Sequence, residues 1–213
     1  VGKKWVMALT GIMLLGYVLV HMLGNLKVYI GPAEINEYGE ALRELGGHLV
    51  PRTHLLWVLR IGLIGAAVLH LHAAYSLTRT NIAARGSRYS QRDYIAASYA
   101  SRTMRWTGVI VAFFVLFHLA DLTWGASPAA VGGWERGEVY SNLIQSFERP
   151  AVSALYIVAN LALGLHIFHG TWSLFQSLGW SQPRFNPWRR YAAGAFTAVI
   201  VIGNLSFPIA VLT

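Results

Sequence analysis

Five apolar blocks, each close to the roughly 20 residues that carry a helix across the hydrocarbon core of a bilayer, dominate this chain. They fall at about residues 5–26, 54–77, 103–124, 151–174 and 191–212. Between them lies nearly all of the charge, and charged residues make up only 12% of the 213. That is about half of the roughly 25% usual for a soluble domain. The alternation expected of membrane β-strands is absent, which argues against a barrel. The expected fold is therefore all-α: one domain, residues 1–213, built as a bundle of five transmembrane helices. Lys3 and Lys4 precede the first block in the manner of a signal peptide. The block is longer than an ordinary signal core, however, and no small-x-small cleavage site follows it. The sequence begins at Val1, so upstream residues are expected.

Loop charge sets the orientation. Lys3 and Lys4 stand before the first block. The loop after it has Lys27, Arg43 and Arg52 against Glu34, Glu37, Glu40 and Glu44, a net of −1. The second loop sets Arg79, Arg85, Arg88, Arg92, Arg102 and Arg105 against Asp93, a net of +5. From Asp121 to Pro150 the net is −2, and Arg184, Arg189 and Arg190 make the fourth loop +3. The alternation is unbroken, so the positive-inside rule places the N-terminus in the cytoplasm and the C-terminus outside. Trp5, Trp106, Trp180 and Trp188 fall at the inner boundary and Trp57 and Trp124 at the outer one, as interfacial tryptophans should. The formal charge of +8 is thus explained by loops beside a lipid bilayer, and no nucleic-acid partner is implied. Gly31-Pro32, Gly46-Gly47 and Gly132-Gly133 punctuate the outer loops, and residues 34–45 have the pattern of a short amphipathic helix on that face. No internal repeat is evident.

Six of the eight histidines lie inside expected spans: His21, His70, His72, His118, His166 and His169. An ionisable side chain at membrane depth is costly and marks function by default, although one isolated histidine can simply bond between helices. Six on four helices point to cofactor ligation. At 1.5 Å per residue, His21 lies roughly 24 Å and His118 roughly 21 Å above the inner boundary. The second and fourth helices run the other way and put His72 at roughly 10 Å and His166 at roughly 16 Å. One outer and one inner pair result, each divided between two helices, as bis-histidine ligation of haem requires. Gly11, Gly16, Ala73, Ala74, Gly108, Gly164 and Gly170 would leave room for a flat macrocycle. Depth alone does not choose between His70 and His72, which face nearly opposite sides of their helix. Nor does it choose between His166 and His169, which share a face.

The sequence resembles the single-chain, five-helix cytochrome b anchor of bacterial succinate dehydrogenase and fumarate reductase. The resemblance is carried by Thr10-Gly11 through His21-Met22-Leu23-Gly24-Asn25 and by His72-Ala73-Ala74-Tyr75-Ser76-Leu77. It continues in Arg105-Trp106-Thr107-Gly108 through Phe117-His118-Leu119-Ala120-Asp121, and in His166 with Trp172 six residues on. It covers nearly the whole chain and implies a subunit of succinate:quinone oxidoreductase, respiratory complex II, in the bacterial cytoplasmic membrane. The resemblance further implies two haems b, a distal one on His21 and His118 and a proximal one on His72 and His166. Its partners would be a flavoprotein with FAD and an iron–sulfur subunit carrying iron–sulfur clusters, both on the basic cytoplasmic face. Electrons would pass from succinate through both haems to a quinone, menaquinone in this family, or in the fumarate-reducing direction.

Within that frame Arg60 is expected to meet a distal haem propionate or Asp121, and Arg105, with Arg102, a proximal propionate. The spare histidines, His70 and His169, could bond a propionate or shuttle a proton. Asp121, one turn past His118, is the candidate for quinone protonation, with Glu40 and Glu44 behind it. Two rival readings stand beside this one. A histidine-ligated iron–sulfur centre could replace haem, but the chain has no cysteine, so thiolates would have to come from a partner. A proton-coupled transporter is the more distant alternative.

Overall fold

The computed structural model describes residues 2–84, 99–180, 182 and 186–213. Arg85, Arg88, Arg92, Asp93 and Arg184 of the basic loops lie outside them, as does the side chain of Arg102. Every regular element among the described residues is helical, and five helices are long and apolar enough to span a bilayer. The spans are α1 (Gly2–Asn25), α3 (His54–Ala83), α4 (Tyr99–His118), α6 (Pro150–Ser177) and α7 (Asn186–Leu212). Two shorter helices, α2 (Pro32–Ala41) and α5 (Val139–Phe147), lie in the two expected outer loops. The amphipathic helix read at residues 34–45 is thus found slightly earlier, with Pro32 at its first turn, where a missing N–H costs nothing. At their inner ends the spans run several residues past the apolar blocks, because helices continue into the interfacial layer once begun.

The bundle is built from two hairpins. Helix α3 packs along α1, and α4 packs along α6, while α7 lies against the far side of α6. Smaller contacts of α1 with α6 and α7 join them. Helix α6 is the most buried span and α3 the least. Trp57, Val58, Ile61, Ile64 and Val68 of α3 are exposed, as are Phe113 of α4 and Ile202 of α7. Such a surface would aggregate in water and is what lipid requires.

The outer end is closed by a polar and apolar cap. Asn36 of α2 accepts the Tyr140 N–H at 3.0 Å and donates to Glu138 at 3.1 Å, clamping α2 to the start of α5. Beneath them Val28, Ile35, Leu143, Phe147, Tyr156 and Phe207 form one buried cluster. Helix α4 ends in a π-helical turn, Leu119–Trp124, whose wider winding carries Asp121 into this cap. Gly125 stops the turn at φ 64°, and a side chain there would run into the Trp134 ring.

Candidate functional site

The structure assembles two histidine pairs, at the two levels expected. At the outer level the rings of His21 on α1 and His118 on α4 lie 5.8 Å apart, edge to face at 82°. At the inner level the rings of His70 on α3 and His166 on α6 lie 6.4 Å apart at 64°. The resemblance favoured His72 as the partner of His166, but the geometry brings His70 there. His72 is exposed on the opposite side of α3, because two residues of helix turn a side chain through about 200°. His169 sits one turn below His166, its ring 6.0 Å from that of Trp172 and its buried Nδ1 without a hydrogen bond.

Each ring has a defined second neighbour. Thr10 Oγ1 is 3.2 Å from His70 Nδ1, and Thr107 Oγ1 is 3.5 Å from His166 Nδ1. Each threonine is followed by a glycine that faces the same ring, closely at Gly108 and at ordinary contact distance at Gly11. A Cβ on Gly108 would stand 3.2 Å from His166 Cε1, and one on Gly11 would stand 3.8 Å from His70 Cε1. At the outer level Tyr156 OH is 3.3 Å from His118 Nδ1, Asn25 Nδ2 is 3.3 Å from His21 Nε2, and the Tyr17 ring stacks on His21 at 5.4 Å.

Whether these pairs suit haem can be judged from their spacing. A metal–imidazole bond is about 2 Å, so two imidazoles in line across one iron have ring centres about 6 Å apart. Both pairs meet that figure. Two histidines of one tetrahedral iron in a cluster would bring ring centres closer, to about 5 Å. The donor set fits as well, since haem supplies its own equatorial ligands and asks the protein only for two axial ones. His70, His166, His118 and His21 would hold such groups, and Asn25 must release His21 Nε2 if that atom is the ligand.

The other polar candidates are placed differently from expectation. Asp121 has a fully buried side chain, and its charged partner is Arg149, not Arg60. Arg149 donates to Asp121 Oδ1 at 2.7 Å, while Ser146 and Tyr156 donate to Oδ2 at 2.5 and 2.9 Å. A second nitrogen of Arg149 bonds the Ala129 carbonyl at 2.7 Å. Arg60 is exposed and lies 5.2 Å from the Trp57 ring, at the outer end of α3. Arg105 is exposed on α4. Glu40 is taken up by Arg43 and Arg52 on the outer surface. Tyr156, Ser146 and Arg149 are site neighbours that the sequence did not single out, and Thr10 and Thr107 stood there only within the segments that carry the resemblance. One signal was available: Thr-Gly stands eleven residues before a histidine in both α1 and α4.

A family model described as the succinate dehydrogenase/fumarate reductase transmembrane subunit matches residues 76–204, more than half of the chain. The matched stretch contains His118, Asp121, His166 and His169, while His21, His70 and His72 precede it. No curated protein and no solved structure matches the chain.

Proposed function

Because this chain belongs to the succinate dehydrogenase/fumarate reductase transmembrane-subunit family, and so is a multi-pass membrane subunit of that enzyme complex, we propose that it is the electron-carrying, quinone-reactive anchor of a dihaem type. The observation that carries the reading is the pair of histidine pairs, each split between facing helices at ring separations suited to axial ligation. When bound, haem would supply one-electron transfer at each level, and the protein's share is binding, spacing and tuning. His70 and His166 would hold the inner group, and His21 and His118 the outer one. Eleven residues separate Thr10 from His21 and Thr107 from His118, so the two levels lie about 16 Å apart along the helices. The basic inner loops offer a docking face for the flavoprotein and iron–sulfur subunits, which carry FAD and the clusters in this type of complex. Electrons arriving there would leave to a quinone, with menaquinone the expected partner.

Asp121 is shut off from lipid and from water and already accepts three hydrogen bonds. We read it as the anchor of the outer cap and of Tyr156 rather than as a proton donor to quinone. The iron–sulfur alternative gains no support from the spacing of the rings, and the family match favours a redox complex over a transporter. A dithionite-reduced minus oxidised spectrum of the purified complex, with pyridine haemochrome quantitation, tests the proposal. Two b-type haems per chain are expected; a stoichiometric complex without haem refutes it.

A further inference from the structure

The two hairpins repeat one device. Helix α1 carries Thr10-Gly11 and then His21, and α4 carries Thr107-Gly108 and then His118, with nine residues between glycine and histidine in each. The outward-running helix of each hairpin thus holds an outer histidine and, three turns below, a Thr-Gly step facing the inner histidine of its own partner helix. Thr10 meets His70 within the α1–α3 hairpin, and Thr107 meets His166 within the α4–α6 hairpin. Each threonine hydroxyl has a backbone carbonyl for its own proton, and the Met7 and Met104 carbonyls also bond the His70 and His166 rings. Thr10 Oγ1 donates its proton to the Val6 carbonyl at 2.7 Å, one turn back on its own helix. Thr107 Oγ1 does the same toward the Thr103 and Met104 carbonyls at 3.2 and 3.1 Å. A hydroxyl has one proton, so toward the imidazole each can act only as an acceptor. The ring nitrogen facing it, Nδ1, must then carry the hydrogen, which leaves Nε2 with a free lone pair.

We infer that Thr10 and Thr107 are positioning residues for the inner histidine pair: each hydroxyl stands at Nδ1 of the facing ring as an acceptor beside the Met7 or Met104 carbonyl, and so favours the tautomer with Nδ1–H and a bare Nε2. The inference rests on the dihaem reading above and deepens it. Gly108 belongs to the device as well, because a Cβ there would stand 3.2 Å from His166 Cε1 and press on that ring, whereas one on Gly11 would only touch His70 at 3.8 Å. An Nδ1–H that is hydrogen-bonded donates more electron density through Nε2, which favours ferric over ferrous iron. The outer His118 is held by the same logic with a stronger acceptor, since Tyr156 commits its proton to the Asp121 carboxylate. The two levels are therefore tuned by different groups.

The test uses the intact complex with Thr10→Val and Thr107→Val, which keep the shape and lose the hydroxyl, against Thr10→Ser and Thr107→Ser, which keep the hydroxyl. Potentiometric titration of the two b-type haems is the readout. Each valine variant is expected to shift ferric preference at one haem roughly tenfold, raising its midpoint by about 59 mV for a one-electron couple. The second haem stays unchanged and serine restores the first. Two haems indifferent to both valine variants would overturn this inference alone, whereas a wild-type complex without haem would overturn the proposed function and this inference with it. Should a valine variant fail to assemble, electron–nuclear double resonance on the unaltered complex with 15N-labelled histidine decides. Hydrogen-bonded remote Nδ1–H groups on both inner ligands support the assignment, and a free Nδ1–H or ligation through Nδ1 refutes it.

Discussion

Replacing Arg149 by methionine removes the guanidinium and leaves the Asp121 carboxylate buried with only Ser146 and Tyr156 as donors. Breaking a buried ion pair from one side costs about 3–5 kcal/mol, because the remaining charge is uncompensated. Here Asp121 has no exposed side-chain surface, but Arg149 is 32% exposed. Water entering behind the truncated side chain offsets part of that penalty, and about 2–3 kcal/mol is the expected loss. Asp121→Asn keeps a carbonyl acceptor, leaves no stranded anion, and retains Arg149 bonds to the Ala129 and Ser146 carbonyls. About 1–2 kcal/mol is expected for it. The double variant removes both charges together, so its cost should fall short of the sum by about 1.5 kcal/mol or more. The assay is reversible unfolding in mixed micelles of increasing dodecyl sulfate fraction, followed by loss of ellipticity. A loss below about 0.5 kcal/mol in Arg149→Met, or additivity of the two substitutions within about 0.5 kcal/mol, would refute the claim that this pair pins the outer cap.

Three further outcomes follow from the site. His70→Ala should remove one haem and leave the other, whereas His72→Ala should leave both, and haem quantitation on the purified complexes reverses the assignment if the pattern is opposite. Gly108→Val puts a branched side chain where a Cβ already stands 3.2 Å from His166 Cε1, so the inner haem should be lost with the outer retained, read as a halved α band. Arg60→Gln removes an exposed cation that lies beside Trp57 and acts on Tyr17 by charge alone, and both haems should persist with stability changed by less than about 0.5 kcal/mol, checked by the same spectrum and denaturation.

The spans and their order were legible because a bilayer imposes a length and loop charge imposes a direction. That His21 and His118 share one level and His166 lies at another is read by counting residues along straight helices. His70 against His72 could not be read that way. Helix α3 is apolar on every side, so its sequence contains no stripe to say which face meets the bundle, and its lipid face holds a histidine too. Asp121 stands out in the sequence, but Arg60 is offered there either to a distal propionate or to Asp121, while Arg149, its actual partner, counts only as a loop charge. The cause is a loop that folds back: α5 tucks under α2 and returns the chain to the membrane with Arg149 pointing at the end of α4. The two Thr-Gly steps are visible in the sequence, but a two-residue signal has no meaning until the facing histidines show what it meets.

The loose attachment of α3 bears on how such a subunit is put together. It packs along α1, with no comparably extensive contact to any other described element, yet it supplies one side of the inner histidine pair. A flat cofactor can therefore enter between the hairpins without prising apart an established helix interface. If His70 and His166 ligate it as proposed, it would rivet the two hairpins together beside the contacts that α1 already makes with α6 and α7. Biogenesis would then have a built-in order, with hairpins inserted first, cofactor second and the closed bundle last. The soluble partners would meet a finished docking face only after that rivet is in place.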